Sequence, residues 1–357
     1  MPLPPTHNIS SAHRSGIQMN GLLKSAFKGL CDVTRVNEAI VLLQRSDFLV
    51  LNYHCVLAKP RADRWSYGND DDADSFRSQL RWLKQHFSPT DLAGLRRYCT
   101  GEWTGRKPPV LVTFDDGYRN NLTVAAPILR EEGVPALFFL CTGYVGTPKV
   151  LWNHEVVMRV LHWPEPEISL PLGGQSVLPS ELDARRSFSD EVNEACKGLA
   201  EEHLAEYLNF LRGKTPSVEV MDDPESRAFL SWGEARKLAG MGFEIGSHTV
   251  GHTILSRLTR ARIAAELRES KATIERELKQ SCCAIAYPNG SARDVNETVF
   301  EEVRAAGYDW AFTTAPVWYK AGGDRHRIPR VGFPGHTDLA TFKAYASGLH
   351  TRMSRAS

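Results

Sequence analysis

Seven short runs, largely apolar throughout, recur along this chain, and most are separated by stretches with helical periodicity. The runs fall at 48–53, 110–114, 136–141, 243–247, 283–287, 310–314 and 328–331. Because they do not alternate apolar with polar, they read as strands of a parallel sheet covered on both faces. Between them, 74–87, 121–132, 232–241, 260–279 and 296–306 carry apolar residues three and four apart, as at Ile263, Leu267, Ile274 and Leu278. Gly133, Gly242 and Gly307 follow helix ends, where a left-handed cap is expected. This order predicts an α/β fold, as a barrel or as a doubly wound open sheet.

One region breaks the rhythm. From 150 to 227 a WNHEVV segment leads into turn-rich PEPEISLPLGG and then a charged helical stretch. It reads as an insertion on the loop side of the sheet, where it could roof a site. The expected organisation is an N-terminal extension over 1–46, a main domain over 47–345 and a tail over 346–357. Within the extension, 21–43 mixes apolar residues with Lys24, Lys28 and Arg35. That pattern predicts an amphipathic helix, packed on its own domain or lying peripherally on a membrane.

Composition excludes several classes. Lys and Arg total 43 against 42 acidic residues, so no basic field exists to recruit nucleic acid. No stretch approaches the length of a transmembrane span. Residues 1–18 carry no apolar run with a cleavage site, so a cytoplasmic location is expected. The seven cysteines are odd in number and include no CxxC spacing, which argues against a disulfide framework and a structural zinc site. They read as small buried hydrophobes. Asp70-Asp71-Asp72 reads as a solvated loop and helix start.

Two motifs carry chemistry. Thr113-Phe114-Asp115-Asp116-Gly117 closes the second strand. Two adjacent carboxylates at a strand end are costly to bury unpaired, and a helix cap accounts for only one of them. His248-Thr249-Val250-Gly251-His252 closes the fourth strand, and its histidines share a face if the segment turns helically. Two histidines and one carboxylate leave an open coordination position, as in catalytic zinc sites. The residues themselves thus reach metal-assisted hydrolysis.

In this order the two motifs resemble the NodB-homology polysaccharide deacetylases, carbohydrate esterase family 4. The similarity runs from Leu49 to Val331 and includes Tyr53-His54, Gly133-Val134-Pro135 and Ala286-Tyr287-Pro288-Asn289-Gly290. The last of these is the Y-P-x-G version found in exopolysaccharide deacetylases. The resemblance implies a distorted (β/α)7 barrel that removes N-acetyl groups from amino sugars of a polysaccharide or its precursor. It implies Asp115 as general base, Asp116, His248 and His252 as ligands of Zn²⁺ or another divalent metal, and the Asn289 N–H as oxyanion donor. The family's third-motif Arg is absent here, and Arg330 or Arg119 could supply its charge. His54, ahead of His336, is the expected general acid. Tyr118, Trp152 and Trp310 are the expected sugar-contacting aromatics, with Trp318 and His154 weaker candidates. A non-sugar amide hydrolase and a carbohydrate-binding relic are the alternatives.

Overall fold

The structure, a computed structural model, describes residues 35–59, 70–217 and 227–356. Seven parallel strands form its centre: β1 (Leu49–Tyr53), β2 (Pro109–Phe114), β3 (Ala136–Leu140), β4 (Glu244–Ser247), β5 (Ala284–Ala286), β6 (Trp310–Phe312) and β7 (Val331–Gly332). Their order is β6-β5-β4-β3-β2-β1-β7, and the short strand Ser88–Pro89 lies beside β2. Ile328, just ahead of β7, bridges Phe312 of β6, while Val331 and Gly332 pair with Leu51 and Asn52 of β1. The segment 328–332 therefore touches both edges of the sheet and curls it into a parallel half-barrel, the α/β type that the distorted (β/α)7 barrel of the resemblance implies.

Register decides which side chains face inward. Asn52 lies opposite Thr113, Thr113 opposite Leu137, Phe139 opposite Gly246 and Ala286 opposite Phe312. Side chains alternate along a strand, so these positions share one face. Lower on that face Phe48, Val50, Leu111, Leu137, Phe139 and Phe312 fill the barrel. The alternate set, including Leu49, Leu51, Val112, Phe114 and Phe138, packs in the larger cluster under the helices. Gly246 is required by this packing: a Cβ there would sit 2.6 Å from Cδ1 of Phe139.

The inward alternation continues past the strand ends. Asp115 N donates to Tyr53 O at 2.9 Å, and His248 N donates to Leu140 O at 2.9 Å. His54, Asp115, Cys141 and His248 each lie two residues beyond an inward strand position, so the fold delivers them together to the carboxyl rim. Arg330 arrives there from the closing segment.

Between β3 and β4 the chain builds a helical layer from Trp152–Leu161, Leu182–Cys196 and Glu201–Arg212, with an antiparallel hairpin of Glu167–Ser169 and Gln175–Val177. It has its own apolar cluster, including Val156, Trp163, Ile168, Val192 and Leu208, joined by Ile254 from the loop after β4. Glu155, buried within it, accepts from Arg159 Nε at 2.8 Å and Arg212 Nη2 at 2.7 Å.

The acidic triplet departs from expectation. Asp70–Asp72 is a strand parallel to Cys55–Leu57, and Asp70 and Asp71 are buried. Each buried carboxylate has a partner, one from distant sequence and one from the helix that follows. Arg227 Nη2 donates to Asp70 at 3.2 Å, and Gln79 Nε2 donates to Asp71 at 3.3 Å. Asp72 alone behaves as a helix start, accepting from the N–H groups of Asp74 and Ser75. Val36–Leu43 is helical, whereas residues 21–34 of the expected amphipathic segment lie outside the described residues. Among the described residues, no helix is long and apolar enough to cross a membrane.

Candidate active site

Asp115 and Asp116 leave β2 in a turn that needs unusual backbone. Asp116 has φ 74° and Gly117 φ 82°, a pair of left-handed residues that directs the adjacent carboxylates along different paths. Asp115 points into the barrel and meets Arg330. The guanidinium donates from Nη1 and Nη2 to the two carboxylate oxygens at 2.7 and 2.8 Å. It also donates to Asn52 Oδ1, Thr113 Oγ1 and Thr313 O, so this fully buried charge is well satisfied. Burial by itself would raise the Asp115 pKa. The Arg330 charge and hydrogen bonds, joined by His248 and His54, together outweigh that and hold the carboxyl well below the usual range.

Asp116 has the opposite balance. Burial, and then the neighbouring Asp115 charge, push its pKa up to about 8. Its Oδ1 is buried without a hydrogen-bond partner. His252 Nε2 lies 3.4 Å and His248 Nε2 3.5 Å from that same oxygen.

The histidines come from a loop and not from the helical turn that their spacing suggested. Thr249 and His252 have φ 68° and 54°. The loop is held open by Glu266, whose Oε2 accepts from the N–H groups of Val250 and Gly251 at 2.8 and 3.0 Å. His252 N donates to Thr249 Oγ1, and Trp152 Nε1 donates to His252 O at 2.9 Å. His248 Nδ1 lies 2.8 Å from Ala286 O. A carbonyl only accepts, so Nδ1 carries the proton and Nε2 turns its lone pair toward Asp116. Burial lowers the pKa of both imidazoles, so both are neutral near pH 7.

Asp116, Cys141 and His248 place three potential ligand atoms within 4.8 Å of one another. A buried carboxylate short of positive charge, facing imidazole lone pairs, is the donor chemistry that a divalent metal satisfies. Cys141 was the residue missed in the sequence, where an apolar run made it look like packing. Its signal was positional, since it stands one place beyond β3 on the inward face. Its Sγ is 3.5 Å from His248 O, and burial raises the thiol pKa well above normal.

These residues open into a cavity of about 320 Å³ lined on the barrel side by His54, Asp115, Asp116, His248, His252 and Asn289. The helical layer supplies the other wall through Asn153, His154, Val157, Asp190, Asn193, Glu194 and Lys197.

A sequence profile of the polysaccharide deacetylases matches residues 103–168 and 187–311, more than half of the chain and both motifs. The chain belongs to the polysaccharide deacetylase family. It is 30% identical over 108 residues to the poly-β-1,6-N-acetyl-D-glucosamine N-deacetylase of Escherichia coli K12. That match covers 27% of this chain and only 16% of the E. coli protein. Among solved structures, the Streptococcus pyogenes deacetylase PplD in complex with acetate is similar at a TM-score of 0.54 and 18% identity, over 83% of this chain and 98% of that one. IcaB from Ammonifex degensii is similar at 0.54 and 19%, over 84% and 97%. Likeness at this identity describes the fold.

Within this family member, the expected site residues separate into two groups. Asp115, Asp116, His54, His248, His252 and Asn289 line one cavity, and Arg330 lies behind Asp115. Arg119 is elsewhere, 3.1 Å from Glu234 in a half-exposed ion pair. His336 is exposed on the loop after β7 and does not line the cavity. The three expected sugar-contacting aromatics are all buried and off the cavity surface. Trp310 starts β6 at the far end of the barrel, packed in its interior with the Arg96 guanidinium 5.7 Å from its ring centre. Trp152 anchors the helical layer and the His252 loop. Tyr118 stacks on Phe229 and lies 3.0 Å from His154 Nδ1, so His154 is the one of the pair that reaches the cavity. Trp318 packs in the main core, its Nε1 donating to Ala346 O.

Proposed function

We propose that the protein hydrolyses N-acetyl groups from amino-sugar units of a glycan or its precursor. The observation that carries this reading is the division of labour between adjacent carboxylates. Arg330 neutralises Asp115 and keeps it ionised, while Asp116 is left without a cation and faces two imidazoles. Asp116, His248 and His252 would hold a divalent metal, and an N, N, O donor set with an open position suits zinc. When bound, that ion polarises the acetamide carbonyl and acidifies water.

The remaining steps belong to the chain. Asp115 accepts the proton of the attacking water. Asn289, at the cavity wall in a left-handed conformation of φ 56°, would offer its N–H to the oxygen on which negative charge develops. His54 passes the proton to the departing amine. Burial lowers its pKa to about 4, so its imidazolium is a strong acid that exists only transiently. Water and amide become acetate and the protonated amine. The test is acetate release from N-acetylglucosamine oligomers with zinc supplied. Release by the wild type and none by Asp115→Asn supports the reading, and equal release by both overturns it.

A further inference from the structure

We infer that the glycan is acidic: the unit beside the acetylated sugar carries a carboxylate or phosphate that Arg257 and Arg293 hold. The inference rests on the deacetylase reading and adds the substrate class. The inner cavity, at about 320 Å³, is at the small end for ligand sites and has room for little beyond one substituted sugar ring. A second cavity of about 230 Å³ adjoins it, sharing Glu194, Lys197 and Asn289 as a common wall. A chain of linked rings can occupy both.

The inner wall is built for hydroxyl groups. Asp190, Asn193, Glu194 and Lys197 recur at three- and four-residue spacing, so one face of the Leu182–Cys196 helix and the residue after it meets the cavity. Asn153 Oδ1, Asn193 Oδ1 and Asn289 Nδ2 are buried there without hydrogen-bond partners. Sugar hydroxyls donate and accept, and so satisfy both kinds of orphan.

The outer cavity has a different character. Glu194 and Lys197 pair with each other. Asp294 is turned into its own loop, accepting from Ser291 N at 3.0 Å and Ser291 Oγ at 2.5 Å. Two guanidiniums remain. Arg257 donates from Nε to Lys197 O at 3.2 Å, and among the described residues neither Arg257 nor Arg293 forms an ion pair with a carboxylate. Both side chains are exposed at the cavity, and planar guanidinium donors match carboxylate and phosphate oxygens, so an anionic occupant would meet them there.

Calorimetric titration of the zinc-loaded protein tests this with three probes: an N-acetylglucosamine tetramer, a tetramer alternating N-acetylglucosamine with glucuronic acid, and the N-acetylglucosamine disaccharide 1-phosphate, whose phosphate sits on the unit beside an acetylated sugar. At least one anionic probe should bind about tenfold or more tighter than the neutral tetramer, and the better of the two identifies carboxylate or phosphate as the source. In the Arg257→Ala/Arg293→Ala variant the anionic-to-neutral ratio should collapse toward one. Equal affinities in the wild type, a ratio unchanged in the variant, or no binding of any probe overturns the inference. Acetate release measured alongside separates the two readings. Arginine-dependent binding without release retains the acidic ligand and removes the deacetylase, whereas release with no charge preference does the reverse.

Discussion

Arg330 and Asp115 meet through both terminal guanidinium nitrogens and both carboxylate oxygens, with no part of Arg330 exposed to solvent. The pair joins the closing segment of the barrel to the rim of β2, so it is at once a structural clasp and the electrostatic setting of the proposed base. Replacing Arg330 with Met leaves a buried carboxylate uncompensated. The Asp115 pKa should then rise by about 1–3 units, moving the acid limb of the kcat/KM profile to higher pH. Denaturant unfolding should show a loss of about 3–5 kcal/mol. Arg330→Lys keeps the charge and loses the two-point contact, so it should fall between wild type and Met on both measurements. An unshifted acid limb in Arg330→Met would separate Asp115 from the titration that governs activity.

Asp115→Asn retains shape and hydrogen bonding while removing the proton acceptor. Turnover should fall by about 10²–10⁴-fold, with bound metal unchanged by elemental analysis. Loss of metal together with activity would instead place Asp115 among the ligands.

The sequence disclosed the parts of this site that depend on local pattern. Asp115, Asp116, His248 and Asn289 stand at or just past the ends of apolar runs, and a parallel barrel collects such ends at one rim. What stayed hidden depends on register or on distant segments. Cys141 looks like the last residue of a hydrophobic strand until alternation is counted from Leu137 and Phe139. Asp70 and Asp71 look solvated because their partners, Arg227 and Gln79, are remote or on a helix not yet placed. The aromatics failed for a related reason. Closeness to a strand says nothing about which end of the barrel a ring occupies, and Trp310 occupies the far one. The cavity wall from Asp190 to Lys197 is one helix face, visible only once that helix is set against the rim.

Cys141 and His252 are the two candidates for a third ligand beside Asp116 and His248 in the proposed metal site. Burial and the nearby carboxylates of Asp116, Asp115 and Glu266 oppose a thiolate at Cys141, and a thiol must lose its proton to coordinate. His252 is already neutral with Nε2 3.4 Å from the Asp116 carboxylate. Zinc titration should therefore show weakening of about 100-fold or more in His252→Ala and little change in Cys141→Ser. The opposite ranking would move the metal toward the cysteine.

Asp71 should make stability fall as pH rises. Burial, opposed by the Gln79 hydrogen bond, pushes its pKa from 3.8 to about 7 in the folded chain. Tyr53 donates to Gln79 Oε1 at 2.9 Å, and Gln79 Nε2 donates to Asp71 Oδ1 at 3.3 Å, so the residue ends a buried chain of neutral hydrogen bonds. Between pH 4 and 7 the folded state holds a proton that the unfolded state has released, so its contribution is complete below the unfolded pKa and disappears as pH passes through 7. Asp71→Asn keeps an acceptor for Gln79 and never ionises. At pH 4 the variant and wild type should unfold at similar denaturant concentrations. At pH 8 the variant should be more stable by about 1–3 kcal/mol, because only the wild type must bury a carboxylate there. A stability difference that is constant from pH 4 to 8 would mean that Asp71 stays ionised in the folded chain, and that a partner other than Gln79 bears its charge.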